Sequence, residues 1–299
     1  MTKKSKKAKV FTYKGYTCKL VDKWKVPESG GAPILTMPNI PHPLHNQNPR
    51  MILGKSTWDH MRNRCYYESK YACEICGEKV KTEFYDDGSI HHKYNDDGTI
   101  PKRSLHAHEM YDIDYNKGTA TFVRAIAACE KCHVRFIHSG RMLTMYEKGD
   151  PLMTADKVLE GLEHGFKLIK EWNDNHKGGE KLRVFFAVID FTTDPTIGEQ
   201  VKELIDKYDI EFYAPDGEKM PNGNPAWGEW KLIIGEKEYI TPFKSQKDWE
   251  KAMEKNNAEQ LEAKRTWMAR FKKYDSLDAV KITDEDMEKV NRAEVPEDF

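Results

Sequence analysis

Two Cys-x-x-Cys pairs about fifty residues apart constrain this chain more than any other feature: Cys73-Glu74-Ile75-Cys76 and Cys129-Glu130-Lys131-Cys132. Each short knuckle delivers two thiolates to one point, and one tetrahedral zinc takes four. Cys73, Cys76, Cys129 and Cys132 therefore read as a structural Zn2+ site, and the fold must bring two distant turns together. Cys18 and Cys65 stand alone, as buried small apolar residues or free thiols. The histidines of the same stretch, His106, His108, His133 and His138, are surplus to that zinc.

At 299 residues the chain has room for two domains. No apolar run approaches a membrane span, and the N-terminus lacks a signal-peptide core. The expectation is a cytoplasmic protein with no membrane partner, in a compartment where paired cysteines bind metal rather than form disulfides. A net charge of -1 gives no global attraction for nucleic acid. Lysines crowd the first twenty-five residues, however, beginning with Lys3, Lys4, Lys6 and Lys7. That tail reads either as a phosphate-gripping arm acting through counterion release or as a solubilising segment.

Three regions follow in order. Residues 1–47 read as a basic arm, a short hairpin over 10–26 and a Pro-rich linker carrying His42 and His45 at the surface. Residues 48–177 hold both knuckles. A capping box at Ser56-Thr57-Trp58-Asp59 predicts a helix toward Lys70. Two turn signals, Asp86-Asp87-Gly88 and Asp96-Asp97-Gly98, predict hairpins around His91 and His92. A strand is expected over 104–111, and apolar i, i+3/i+4 spacing predicts a helix over 154–173. Residues 178–299 read as a second, smaller α+β domain. In it a buried strand over 182–191 precedes a helix from Thr196 and a hairpin turning at Gly235-Glu236, and a charged helix runs from Ser245 to about Tyr274.

His106 and His108 are two apart in the expected strand, so they share a face while Ala107 and Glu109 point away. His133, directly after Cys132, falls on the first turn of a following helix. Three imidazoles with open positions make a catalytic rather than a closed metal site. Phosphodiester hydrolysis requires a base to activate water and a cation to stabilise charge on the phosphate, and imidazole titrates in the right range for the base.

Leu105-His106-Ala107-His108-Glu109, then Val123-Arg124 ahead of Cys-x-x-Cys-His, resembles the HNH endonucleases, most closely the branch typified by phage recombination endonuclease VII. Asn48-Pro49-Arg50 and Tyr111-Asp112 extend the resemblance, which spans roughly residues 48–175. It implies an α+β fold with a zinc-stapled treble-clef or ββα-metal domain, structural Zn2+ on the four cysteines, and cleavage of DNA (branched, phage or host). It also implies Mg2+ or Mn2+ as catalytic cation and a homodimer in a bacterial or phage-infected cell. By motif position His106 is the general base, His108 supports the site or binds metal, His133 ligates the cation, and Glu109 follows as in the family. In a second register His108 and Glu109 take the places of the usual His-His pair, which makes His108 a ligand and leaves no base histidine. Leu105 stands where the family usually carries an acidic ligand, with Asp112 and Asp114 as candidate replacements. Arg124 replaces an Asn and joins His138 and the N-terminal lysines as a candidate nucleic-acid contact. The alternative function is a non-catalytic zinc module of the same fold that binds nucleic acid or protein, for example a phage regulatory or anti-defence factor.

Overall fold

The computed structural model describes residues 9–13, 15–45, 47–79, 83–84, 90–91, 105–150, 153–186, 194–221, 226–241, 243 and 245–255. The chain forms two compact units, Met1–Gln246 and Lys247–Phe299. The described part of the second, residues 247–255, is helical. Lys3, Lys4, Lys6 and Lys7, His92, the turn signal at 96–98 and most of the C-terminal charged helix lie outside the described residues.

The first unit is α+β, built on two sheets. The larger has five strands: β3 (Lys23–Trp24), β6 (Leu105–Asp114), β7 (Thr119–Cys129), β10 (Lys231–Ile234) and β11 (Lys237–Ile240). Their order across the sheet is β11-β10-β7-β6-β3. The smaller is formed by β1 (Val10–Tyr13), β2 (Tyr16–Val21), β8 (Val184–Phe185) and β9 (Phe212–Pro215), in the order β1-β2-β9-β8. A separate pair, β4 (Glu83–Phe84) and β5 (Ile90–His91), is antiparallel and flanks the first Asp-Asp-Gly signal.

The centre of this unit is the β6–β7 hairpin, antiparallel from Asp114↔Thr119 to Leu105↔Cys129 with one register shift at Met110/Tyr111. Met110, Ile126, Ala127 and Ala128 are fully buried along it. A π-helical segment, Lys131–Ile137, follows at once and leads into helix α3 (Ser139–Glu147). Next comes α4 (Ala155–Asn175), capped by Thr154, whose side chain accepts the Lys157 N–H. Val158, Leu162, Phe166 and Ile169 form its buried stripe, the 3.6-residue period read in the sequence. Two glycines share that side. A Cβ on Gly161 would meet the Arg135 carbonyl oxygen at 2.4 Å, and one on Gly165 would meet the Phe136 ring at 2.1 Å. Only glycine lets α4 approach the π-helical segment this closely.

Four expectations change. The boundary expected at 177/178 does not separate compact units, because β10 runs parallel to β7 (Lys231↔Thr119 to Ile234↔Phe122) and β9 runs parallel to β2 (Cys18↔Phe212 to Val21↔Pro215). The Pro-rich stretch is a packed segment rather than an extended linker. Pro33 and Pro43 sit in two 3-10 turns, Ala32–Thr36 and His42–Leu44, that bury Ile34, Leu35 and Leu44. Proline's fixed φ suits such turns, and the apolar side chains between them join the core. The first knuckle is preceded by two helices, α1 (Pro49–Leu53) and α2 (Lys55–Glu68). Asn48 caps α1, and Gly54, with φ 79, starts α2 in place of the Ser56 box. Helix α5 (Pro195–Tyr208) is capped by Asp194 rather than Thr196.

Candidate metal centres

The first knuckle leaves α2 through Lys70 and Tyr71, both with positive φ, and closes with Gly77 N–H donating to the Cys73 carbonyl at 2.8 Å. It then docks on the open edge of β7. Glu74 N–H donates to the Ala127 carbonyl at 2.8 Å, and the Glu74 carboxylate accepts the Ala127 N–H at 2.9 Å. A sheet edge that would otherwise expose its ladder is covered in this way. The turn is fixed from the other side by Gly31 N–H, which donates to the Glu74 carbonyl at 2.7 Å. The second knuckle needs no separate positioning, since Cys129 ends β7 and Cys132 lies in the π-helical segment.

The four sulfurs all lie within 4.8 Å of one another, and Cys76 Sγ is 3.7 Å from Cys129 Sγ. A tetrahedral zinc with Zn–S near 2.3 Å separates its sulfurs by about 3.8 Å, so the four residues fit the ion. Cys73, Cys129 and Cys132 are buried and Cys76 half-buried. Hydrogen bonding from Cys129, and then from Cys132, lowers the pKa of the Cys73 thiol. His164 of α4 comes within 3.3 Å of Cys132 Sγ through Nε2.

A second group is formed by His108 on β6, His133 directly after Cys132 in the π-helical segment, and His138 at the end of that segment. Their ligand atoms all lie within 4.8 Å of one another. His133 Nε2 is 3.0 Å from His108 Nδ1, and the His133 and His138 ring centroids are 4.7 Å apart. The π geometry makes this possible. Five residues of ordinary α-helix would turn His133 and His138 about 140° apart, whereas an i→i+5 turn returns them to one side. The His138 N–H donates to the His133 carbonyl at 3.0 Å, which is that turn.

Burial first, and then the neighbouring histidines and Arg141, hold these imidazoles neutral. His108 is lowered to about 3, His138 to about 4, and His133 lies far below the usual range. Neutral rings offer lone pairs to a cation. His133 Nδ1 is buried with no hydrogen-bond partner among the described residues. Three imidazole nitrogens suit zinc and its transition-metal neighbours; Mg2+ and Mn2+ are expected to favour oxygen donors. His106 stands beside this trio, its ring stacked on His133 at 5.0 Å and 26°. Burial lowers its pKa, and Glu130 partly opposes the shift.

Several candidates lie elsewhere. Strand alternation sends Glu109 to the opposite face, where Arg50 and Tyr111 are its electrostatic neighbours and burial raises its pKa. Asp112 accepts from Lys25 and the Val26 N–H, and Asp114 pairs with Lys23, so neither carboxylate joins the imidazoles. Arg124 is bound to Glu74 at 2.6 Å. His138 belongs with the imidazole trio. Nothing in the local sequence singles out Glu74, and the sequence marks His164 only by its place between Gly161 and Gly165.

No protein-family model matches the chain, and comparison with curated proteins and with solved structures gives no match. Among the described residues no helix is long and apolar enough to cross a membrane.

Proposed function

We propose that this chain is a metal-dependent endonuclease of the HNH, or ββα-metal, type that hydrolyses DNA phosphodiester bonds and carries a structural zinc on its four paired cysteines. The observation that carries this reading is the convergence of His108, His133 and His138 beside those cysteines. The strand-strand-helix order of β6, β7 and the π-helical segment supports it. So does the sequence resemblance over residues 48–175. Both registers put His108 and His133 at the metal, in keeping with their places in the trio, and His138 adds a third nitrogen. The cation this donor set suits is of the zinc class rather than Mg2+ or Mn2+.

When bound, such a cation supplies Lewis-acid stabilisation of the charge that develops on the phosphate and its leaving oxygen. The remaining work falls to the chain's own groups. His106, neutral and adjacent to the trio, accepts the proton of the attacking water through a ring nitrogen. The half-buried trio is held by a strand and a helix, so its geometry is set before substrate arrives. A second reading, a non-catalytic zinc module, is favoured by one feature: no carboxylate joins the imidazole group among the described residues.

The test incubates the full chain with supercoiled, linear and branched DNA and with Zn2+, Co2+, Mn2+ or Mg2+ in turn. His106→Ala and His133→Ala variants run beside it. Metal-dependent cleavage that falls by about a hundredfold or more in both variants is expected, as general-base removal alone is worth 10²–10⁴. Cleavage with no cation supplied, or indifferent to both histidines, contradicts the proposal.

A further inference from the structure

We infer that His164 is a working part of the cysteine centre, placed to hydrogen-bond the thiolates of Cys132 and Cys76 and so to hold the bound ion. Within each knuckle the first sulfur is served locally. The Cys76 N–H reaches Cys73, and the Cys132 N–H reaches Cys129. For the second sulfur of each knuckle the donor is His164. Its Nε2 lies 3.3 Å from Cys132 Sγ, and it is also a hydrogen-bond partner of Cys76. One side chain from α4 therefore completes what two backbone amides begin.

The chemistry requires such a donor. Four thiolates around a divalent zinc leave a net charge of about −2, and here three of the four cysteines are buried. Buried charge is tolerated only where hydrogen bonds disperse it. Outer donors of this kind orient the ligands and hold the metal. The placement of His164 follows from the packing of α4. Gly161 and Gly165 bring the helix axis against Arg135 and Phe136, and His164 lies between them in sequence, one turn after Gly161. A helix held further away could not offer its imidazole to Cys132 at this distance. The inference depends on the four cysteines binding an ion and stands independently of any nuclease activity.

The test uses the full chain loaded with Zn2+ or with Co2+ as a spectroscopic probe, comparing wild type with His164→Phe and His164→Gln. Phenylalanine keeps a ring but has no donor, whereas glutamine carries an N–H near the Nε2 position. With the donor gone, the sulfur lone pairs rise in energy and protonate more readily. The sulfur-to-cobalt charge-transfer band of His164→Phe then moves to longer wavelength, and zinc passes to a chelator at least about tenfold faster. His164→Gln restores both toward wild type. Wild-type spectra and release rates in His164→Phe overturn the inference. Equal disturbance in both variants also overturns it, because that pattern belongs to packing alone.

Discussion

Arg124 Nη1 donates to Glu74 Oε2 across 2.6 Å while the other oxygen of that carboxylate accepts the Ala127 N–H at 2.9 Å. A residue of the first knuckle thus reaches two points on the strand that ends at the second. The Glu74 side chain does for the β7 edge what a neighbouring strand would do, and it does so two residues before Cys129. Truncating it as Glu74→Ala leaves the Ala127 N–H and a half-buried guanidinium unpaired. A charged hydrogen bond of this kind contributes about 1.5–3 kcal/mol, whereas the partly exposed ion pair adds little. Denaturant unfolding should show a loss of about 2 kcal/mol for Glu74→Ala and a smaller loss for Glu74→Gln.

Gly165 has no room for a methyl group, since its Cβ would lie 2.1 Å from the Phe136 ring. Alanine gains about 1 kcal/mol over glycine in a helix interior, but forcing α4 off the π-helical segment costs about 1–3 kcal/mol or more. Gly165→Ala should therefore lower the melting temperature. It should also speed zinc loss, because Cys132 and His133 ride on the displaced segment. A variant more stable than wild type would show that the two helices are free to part.

Acid sensitivity has a source away from both metal centres. Burial, and the His42 ring at 5.0 Å, lower His45 from its ordinary value of 6.5 to about 4. The neutral ring is bonded to the Ile40 carbonyl at 3.1 Å. Between pH 6.5 and 4 the unfolded chain therefore binds more protons here than the folded one. The linkage slope is positive in that window, so stability is lost as pH falls through it. The half-buried site puts the effect on the order of 2 kcal/mol. Comparing wild type with His45→Gln, the difference in unfolding free energy should shrink steadily from about pH 7 to about pH 4 and stay flat above that range.

The parts of the centre that depend on short spacing were legible in the sequence. Cys-x-x-Cys has few geometric solutions, and His106-x-His108 on one strand has one face. The β10–β11 turn at Gly235 was equally readable, since it depends on two residues. The parallel pairing of β10 with β7 links positions more than a hundred apart, and nothing local encodes it. His138 was hard to place for a different reason. On an α-helical template it faces away from His133, and the sequence carries no sign of the wider turn that reverses this. Ile34, Leu35 and Leu44 were hidden by the prolines around them, which signal irregular backbone but say nothing about burial.

Two adjacent centres, one of four sulfurs and one of three imidazoles, are each able to hold an ion. The direct measurement is the metal content of the full chain after equilibration with Zn2+ and removal of free metal, beside a His133→Ala, His138→Ala double variant. Two equivalents in the wild type and one in the double variant are expected, with the last equivalent resistant to mild chelation. One equivalent in the wild type, or two in the double variant, would contradict the account.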